Sequence, residues 1–248
     1  MKKLEQKDED VSLKIVDSNS IIIKIPRSDL NTKKLVDSLV VSSKVIIEKT
    51  PNLIIDIRNN LGGTWEVYKS LFPYLYTNPI LTGEGLYRCS KDLIEYQKNN
   101  IEIYKKDSTL LKFLPDAQVL LDSMLKYENS FFYSKPDTFK FDSIIPYPQN
   151  VVILFNYRCA SATEMFLKLC KQSRKVIMAG EKTWGALDNV EAVPFTTPSG
   201  KYRLMIPRVK NFYGKNPPLD FVGITPDIRI PVEEKYWVKY VLNYLNKK

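Results

Sequence analysis

Asn156–Leu169 reads NYRCASATEMFLKL, and the apolar run that leads into it, Val151–Phe155, reads as a buried strand. Ala162, Met165, Phe166, Leu169 and Cys170 then recur at helical spacing, one apolar stripe of an amphipathic helix. Ser161 therefore falls where a strand ends and a helix begins. Backbone N–H groups are unpaired at such a place and the helix dipole is positive, so a developing oxyanion is stabilised there. That suits a nucleophilic serine. The same residues, Ser161-Ala162-Thr163-Glu164, also spell a capping box, in which the serine caps the helix and Glu164 caps back. The stretch alone leaves both readings open.

A second strand–turn–helix unit lies upstream. Leu53–Ile57 is apolar but for Asp56, and Arg58-Asn59-Asn60-Leu61-Gly62-Gly63 follows at once. Thr64 is expected to start a helix carrying Trp65, Tyr68, Leu71, Phe72, Leu75 and Tyr76. The glycines let backbone N–H groups face a ligand. A phosphate loop is excluded, because neither G-x-x-x-x-G-K-[ST] nor G-x-G-x-x-G occurs. Further strands are expected at Ile21–Ile25, Thr82–Cys89, Lys175–Ala179, Val190–Phe195 and Tyr202–Ile206. Helices are expected from Asn31 to Ile47, over Lys91–Lys105, from Asp116 and over Glu233–Leu245. Residues 130–150 read as irregular. Strands alternating with helices give an α/β chain.

The 248 residues can bury a sizeable core. No apolar run approaches the ~20 residues of a membrane span. Residues 1–14 read as a flexible, charged arm, and with no apolar core after the basic start they do not read as a signal peptide. On that reading the chain would stay in the cytoplasm. Cys89, Cys159 and Cys170 form no CxxC pair and no metal spacing, and the sequence has no histidine. No metal or cofactor is expected, and acid–base work falls to Lys, Asp, Glu or Tyr. The net charge of +9 is spread over scattered lysines without interleaved aromatics, so no nucleic-acid partner is expected.

Four blocks stand in order: Leu53–Gly63 (LIIDIRNNLGG), Ala160–Phe166 (ASATEMF), Gly180–Gly185 (GEKTWG) and Gly223–Asp227 (GITPD). Together they resemble the tail-specific proteases, the C-terminal processing or S41 serine peptidases, including the tricorn-like branch. The resemblance implies one peptidase domain with a crotonase/ClpP-like α/β core of mixed sheets and flanking helices; the PDZ module that some relatives carry is not expected in this chain. Residues 91–150 would be a helical insertion or lid. It implies hydrolysis of peptide or unfolded-protein substrates through an acyl-enzyme. The nucleophile would be Ser161, with Gly63 and Ala162 as the oxyanion-hole N–H donors.

Two departures accompany the match. The processing proteases activate the serine with a lysine just past the GEKTxG block, where this chain has Ala186. Lys182 is the nearest substitute base. The tricorn-like branch uses an upstream histidine and an acid shortly before the G-x-x-P-D turn. Asp220 fits the acid, and the histidine has no counterpart. The chain opens almost directly on the core, so three expectations compete: a fragment whose base lies upstream, a catalytically silent peptide-binding homologue, or an unusual base. Relatives of this kind are mostly exported, which leaves the compartment open alongside the absent signal.

Overall fold

The computed structural model describes residues 10–212, 218–231, 233 and 235–247. In chain order the main elements are β1 (Ser12–Asp17), β2 (Ser20–Lys24), α1 (Leu30–Ser42), α2 (Lys44–Ile47), β3 (Asn52–Asp56), a 3₁₀ segment (Trp65–Leu71), α3 (Phe72–Leu75), β4 (Ile80–Leu81), β5 (Glu84–Arg88), α4 (Lys91–Lys106), α5 (Leu114–Lys126), β6 (Phe131–Ser134), β7 (Thr138–Phe139), β8 (Asn150–Phe155), α6 (Ala162–Cys170), β9 (Val176–Gly180), β10 (Asn189–Thr196), β11 (Arg203–Phe212), β12 (Ile228–Arg229) and α7 (Trp237–Leu245). They form two compact units.

The first unit comprises Met1–Thr82, Thr138–Leu187 and Pro218–Lys248. Its sheet has the order β1-β2-β3-β8-β9-β12. All neighbours pair in parallel except β1, which forms an antiparallel hairpin with β2. Strands β3 and β8 are buried almost throughout, which is why they read as unbroken apolar runs rather than alternating ones. Ile55 pairs with Ile153 in register, so the two strands end together and their connecting turns emerge side by side.

One face of this sheet carries Ile23, Ile55, Ile153 and Met178 against Tyr68, Phe72, Phe166 and Leu167. Tyr68 and Phe166 stack with centroids 4.1 Å apart, which fastens the segment after the glycine turn onto α6. The other face buries Ile54, Val152 and Leu154 under Trp237 and Val241 of α7.

The second unit comprises Gly83–Asp137 and Asp188–Pro217. Its antiparallel sheet, β10-β11-β5-β6, packs with α4 and α5 around Leu93, Ile94, Leu121, Met124 and Val193. The insertion expected at 91–150 is therefore bounded differently. Its helices join a sheet built partly from residues after 188, while Thr138–Phe139 pairs with Ile80–Leu81 of the first unit. Side chains 188 and beyond had no periodic link to 91–126 that a linear reading could detect.

Local differences have simple causes. The flexible arm expected over 1–14 reaches too far, since Ser12–Lys14 already pair with Ile22–Lys24; residues 1–9 lie outside the described residues. Helix α1 is capped by Asp29, whose carboxylate accepts the Thr32 N–H at 2.7 Å, rather than by Asn31. The expected helix after Thr64 splits into a 3₁₀ segment and α3, with Pro73 in the first turn of α3, where its missing N–H costs nothing. Among the described residues no helix is long and apolar enough to cross a membrane.

Candidate active site

Ser161 sits between β8 and α6 with φ +56° and ψ −123°. An ordinary N-cap residue holds β-region angles that bring its hydroxyl onto the helix N–H groups. Here the backbone is in a region that non-glycine residues occupy only under constraint. Both halves of the capping box are in place: the Glu164 N–H faces the Ser161 side chain, and Glu164 Oε2 accepts the Ser161 N–H at 2.9 Å. The serine is thus held by its backbone.

The glycine turn lies against this elbow. A Cβ on Gly62 would stand 2.9 Å from Ser161 Cβ, 3.0 Å from the Ala162 nitrogen and 2.5 Å from the Ala160 carbonyl oxygen. Only a residue without a side chain permits that approach, and φ at Gly62 is +91°. Gly63 bridges to Ser28 in parallel fashion, and Thr64 N–H donates to Ser28 O at 2.7 Å.

The turn is fixed from beneath by Asn60, which is fully buried. Its Oδ1 accepts from Gly62 N–H at 3.1 Å, Ser28 Oγ at 3.1 Å and Thr163 Oγ1 at 3.0 Å. Its Nδ2 donates to Ile25 O and Tyr68 Oη, each at 3.1 Å. Asn59 and Asn156, one from each turn, exchange hydrogen bonds at 2.9 and 3.0 Å. A buried polar network satisfied this completely specifies one arrangement of the two turns.

Glu164 is buried and ties two blocks together. Besides Ser161 N–H, it accepts Thr183 Oγ1–H at 2.5 Å and Gly185 N–H at 2.8 Å on Oε1, and Ala186 N–H at 2.8 Å on Oε2. Thr183 Oγ1 in turn accepts Ile224 N–H at 2.7 Å, which joins the GITPD block. Asp220 Oδ1 accepts Leu187 N–H at 2.7 Å, and Phe221 N–H donates to Gly185 O at 2.8 Å. The blocks recognised separately along the sequence are therefore one hydrogen-bonded unit.

Of the residues expected in the site, Ser161 and Ala162 lie against Gly62, the neighbour of the expected Gly63, whose own close contacts are with Ser28. No acceptor among the described residues takes the Gly63 or Ala162 N–H. Asp220 reaches the site through backbone, at Leu187. Lys182 is exposed. Cys159 is buried, donates to Ile57 O at 3.1 Å, and burial pushes its thiol up to about 12, which removes the thiolate a cysteine nucleophile needs. Asp56 and Arg58 pair in two-pronged fashion at 2.8 and 2.6 Å. Asn60, Tyr68, Thr163 and Ser28 were not expected as site residues. Asn60 belongs to the LIIDIRNNLGG stretch, whereas Tyr68 reads in sequence as one more apolar residue of a helix.

The model of peptidase family S41 matches residues 21–230. No curated protein matches the chain. Among solved structures, mature CPAF is 17% identical with a TM-score of 0.62 over 92% of this chain and 50% of its own. The photosystem II D1 C-terminal processing protease is 16% identical, with a TM-score of 0.54 over 90% of this chain and 46% of its own. A lipoprotein from Streptococcus agalactiae is 15% identical, with a TM-score of 0.56 over 96% and 70%. The chain thus spans about half the length of the two named proteases, and at these identities the likeness shows a shared fold.

Proposed function

The chain belongs to peptidase family S41, and on that basis we propose that it is a serine-type peptidase domain in which Ser161 is the nucleophile. The observation that carries this reading is the strained Ser161 backbone at the start of α6 with the glycine turn packed against it. Ser161 Oγ attacks a peptide carbonyl carbon and the C=O electrons move onto oxygen. Gly63 and Ala162 N–H groups receive that oxyanion. The C–N bond then breaks, the serine proton passes to the leaving amine, and water releases the acyl group. Two N–H donors from separate turns suit an oxygen that gains charge only in the transition state.

The proton acceptor is the open place. Ala186 stands where the processing proteases carry a lysine, and the sequence has no histidine. The Asp220 carboxylate already accepts a backbone N–H. The second reading, peptide capture without turnover, is favoured by the same Ala186. A fluorogenic peptide assay of the chain and of Ser161→Ala separates them. Turnover lost in the variant supports the peptidase, and equal rates remove Ser161 from the chemistry. Peptide binding with no cleavage by mass spectrometry supports capture.

A further inference from the structure

The two turns share a feature that the nucleophile reading does not require. In each, a buried side chain takes the amide just before the candidate oxyanion donor. Asn60 Oδ1 accepts Gly62 N–H, and Gly63 N–H has no acceptor among the described residues. Glu164 Oε2 accepts Ser161 N–H, and Ala162 N–H likewise has none among them. The next amide on α6, that of Thr163, is taken by Ala160 O at 3.2 Å.

We propose that Asn60 and Glu164 are a matched pair of positioning residues that select the oxyanion donors: each occupies the preceding amide, so that one N–H per turn faces the reacting oxygen. This rests on Ser161 being the nucleophile. The physics is one of competition. A glycine turn with several unpaired amides can rotate its peptide planes, and a donor aimed at the wrong point contributes nothing to the transition state. Tying up the preceding amide fixes its own peptide plane and removes it as a competing donor, so the next N–H is the one left to face the oxygen. Neither side chain has slack for another role. The Asn60 side chain serves five partners and the Glu164 carboxylate four, one amide of its own turn in each case and the rest from neighbouring segments.

Two measurements on the whole chain test this. Backbone amide exchange by NMR reads donor selection without any chemistry. Gly62 and Ser161 amides should exchange at least about tenfold more slowly than those of Gly63 and Ala162, since only the former are hydrogen-bonded. Glu164→Gln leaves one oxygen for four donors and should speed Ser161 exchange. Thr183→Val serves as control, because it removes a hydroxyl from Glu164 but leaves the Ser161 amide bonded. The second measurement is labelling by an alkyl fluorophosphonate. Ser161 Oγ bonds to phosphorus, fluoride leaves, and the proton goes to solvent. Glu164→Gln should lower the maximal labelling rate about 100-fold, with half-saturation by the probe unchanged, as expected for a misdirected donor. Thr183→Val should lower Tm without that loss. Uniform exchange across the four amides, or equal rate losses in both variants, overturns the selection role. Absence of any labelling in the parent chain overturns the nucleophile reading instead, and leaves the exchange result to judge Asn60 and Glu164.

Discussion

Gly62→Ala is the sharpest single perturbation of the site. The new methyl would lie 2.5 Å from the Ala160 carbonyl oxygen and 2.9 Å from Ser161 Cβ, both inside van der Waals contact. Neither neighbour is the free end of a flexible chain. Ala160 N–H is itself tied to Asn60 O, and Ser161 is held by Glu164. The turn must therefore move away from the elbow. An L-residue at φ +91° costs ~1–2 kcal/mol, and overpacking adds ~1–3 kcal/mol, so unfolding free energy should fall by roughly 2–5 kcal/mol. A shift of about 1 Å between donor and nucleophile costs on the order of 10²-fold in rate. Gly200→Ala separates strain from contact. Its φ is +71° but nothing lies within 4 Å of the added Cβ, so it should cost ~1 kcal/mol and leave labelling untouched. Urea denaturation gives the stabilities and fluorophosphonate labelling gives the rates. A Gly62→Ala protein labelled as fast as its parent would show that the turn plays no part in the reaction.

Further outcomes follow from the same contacts. Ala186→Lys should raise the labelling rate at pH 8 by ~10²-fold, because Ala186 and Ser161 amides share Glu164 Oε2 and a base at that position stands beside the hydroxyl; an unchanged rate counts against the placement. Arg58→Met should cost ~3 kcal/mol in urea unfolding, since it strands the Asp56 carboxylate, only 3% exposed; a loss below ~1 kcal/mol would show the pair to be dispensable. Burial raises Cys159 from its ordinary 9.0 to about 12, so the folded chain favours the neutral thiol. The resulting stability is complete below pH 9 and is lost as pH rises toward 12. Cys159→Ala should flatten that alkaline decline, and identical slopes in the two proteins would refute the assignment.

Much of the scaffold was legible because burial leaves a plain mark on sequence. Strands β3 and β8 are inaccessible on both faces, so Leu53–Ile55 and Val151–Phe155 could be read as strands directly. The elbow at Ser161 and the turn at Gly62-Gly63 were legible for the same reason, as punctuation after those runs. Glu164 was half legible. Its bond to the Ser161 N–H is local and was read as a cap, but its bonds to Thr183, Gly185 and Ala186 come from about twenty residues downstream, where no spacing rule reaches. Asn60 shows the same limit, since its partners Ser28, Tyr68 and Thr163 are far apart in sequence. The second unit was not legible as such, because β5 pairs with β11, more than a hundred residues later, and antiparallel partners carry no shared motif.

The most direct test of the site is a crystal structure of the chain after reaction with diisopropyl fluorophosphate. The adduct should sit on Ser161 Oγ, with one phosphoryl oxygen within about 2.7–3.1 Å of both the Gly63 and Ala162 nitrogens. An adduct on any other residue, or a phosphoryl oxygen turned to solvent beyond reach of Gly63, would contradict the assignment.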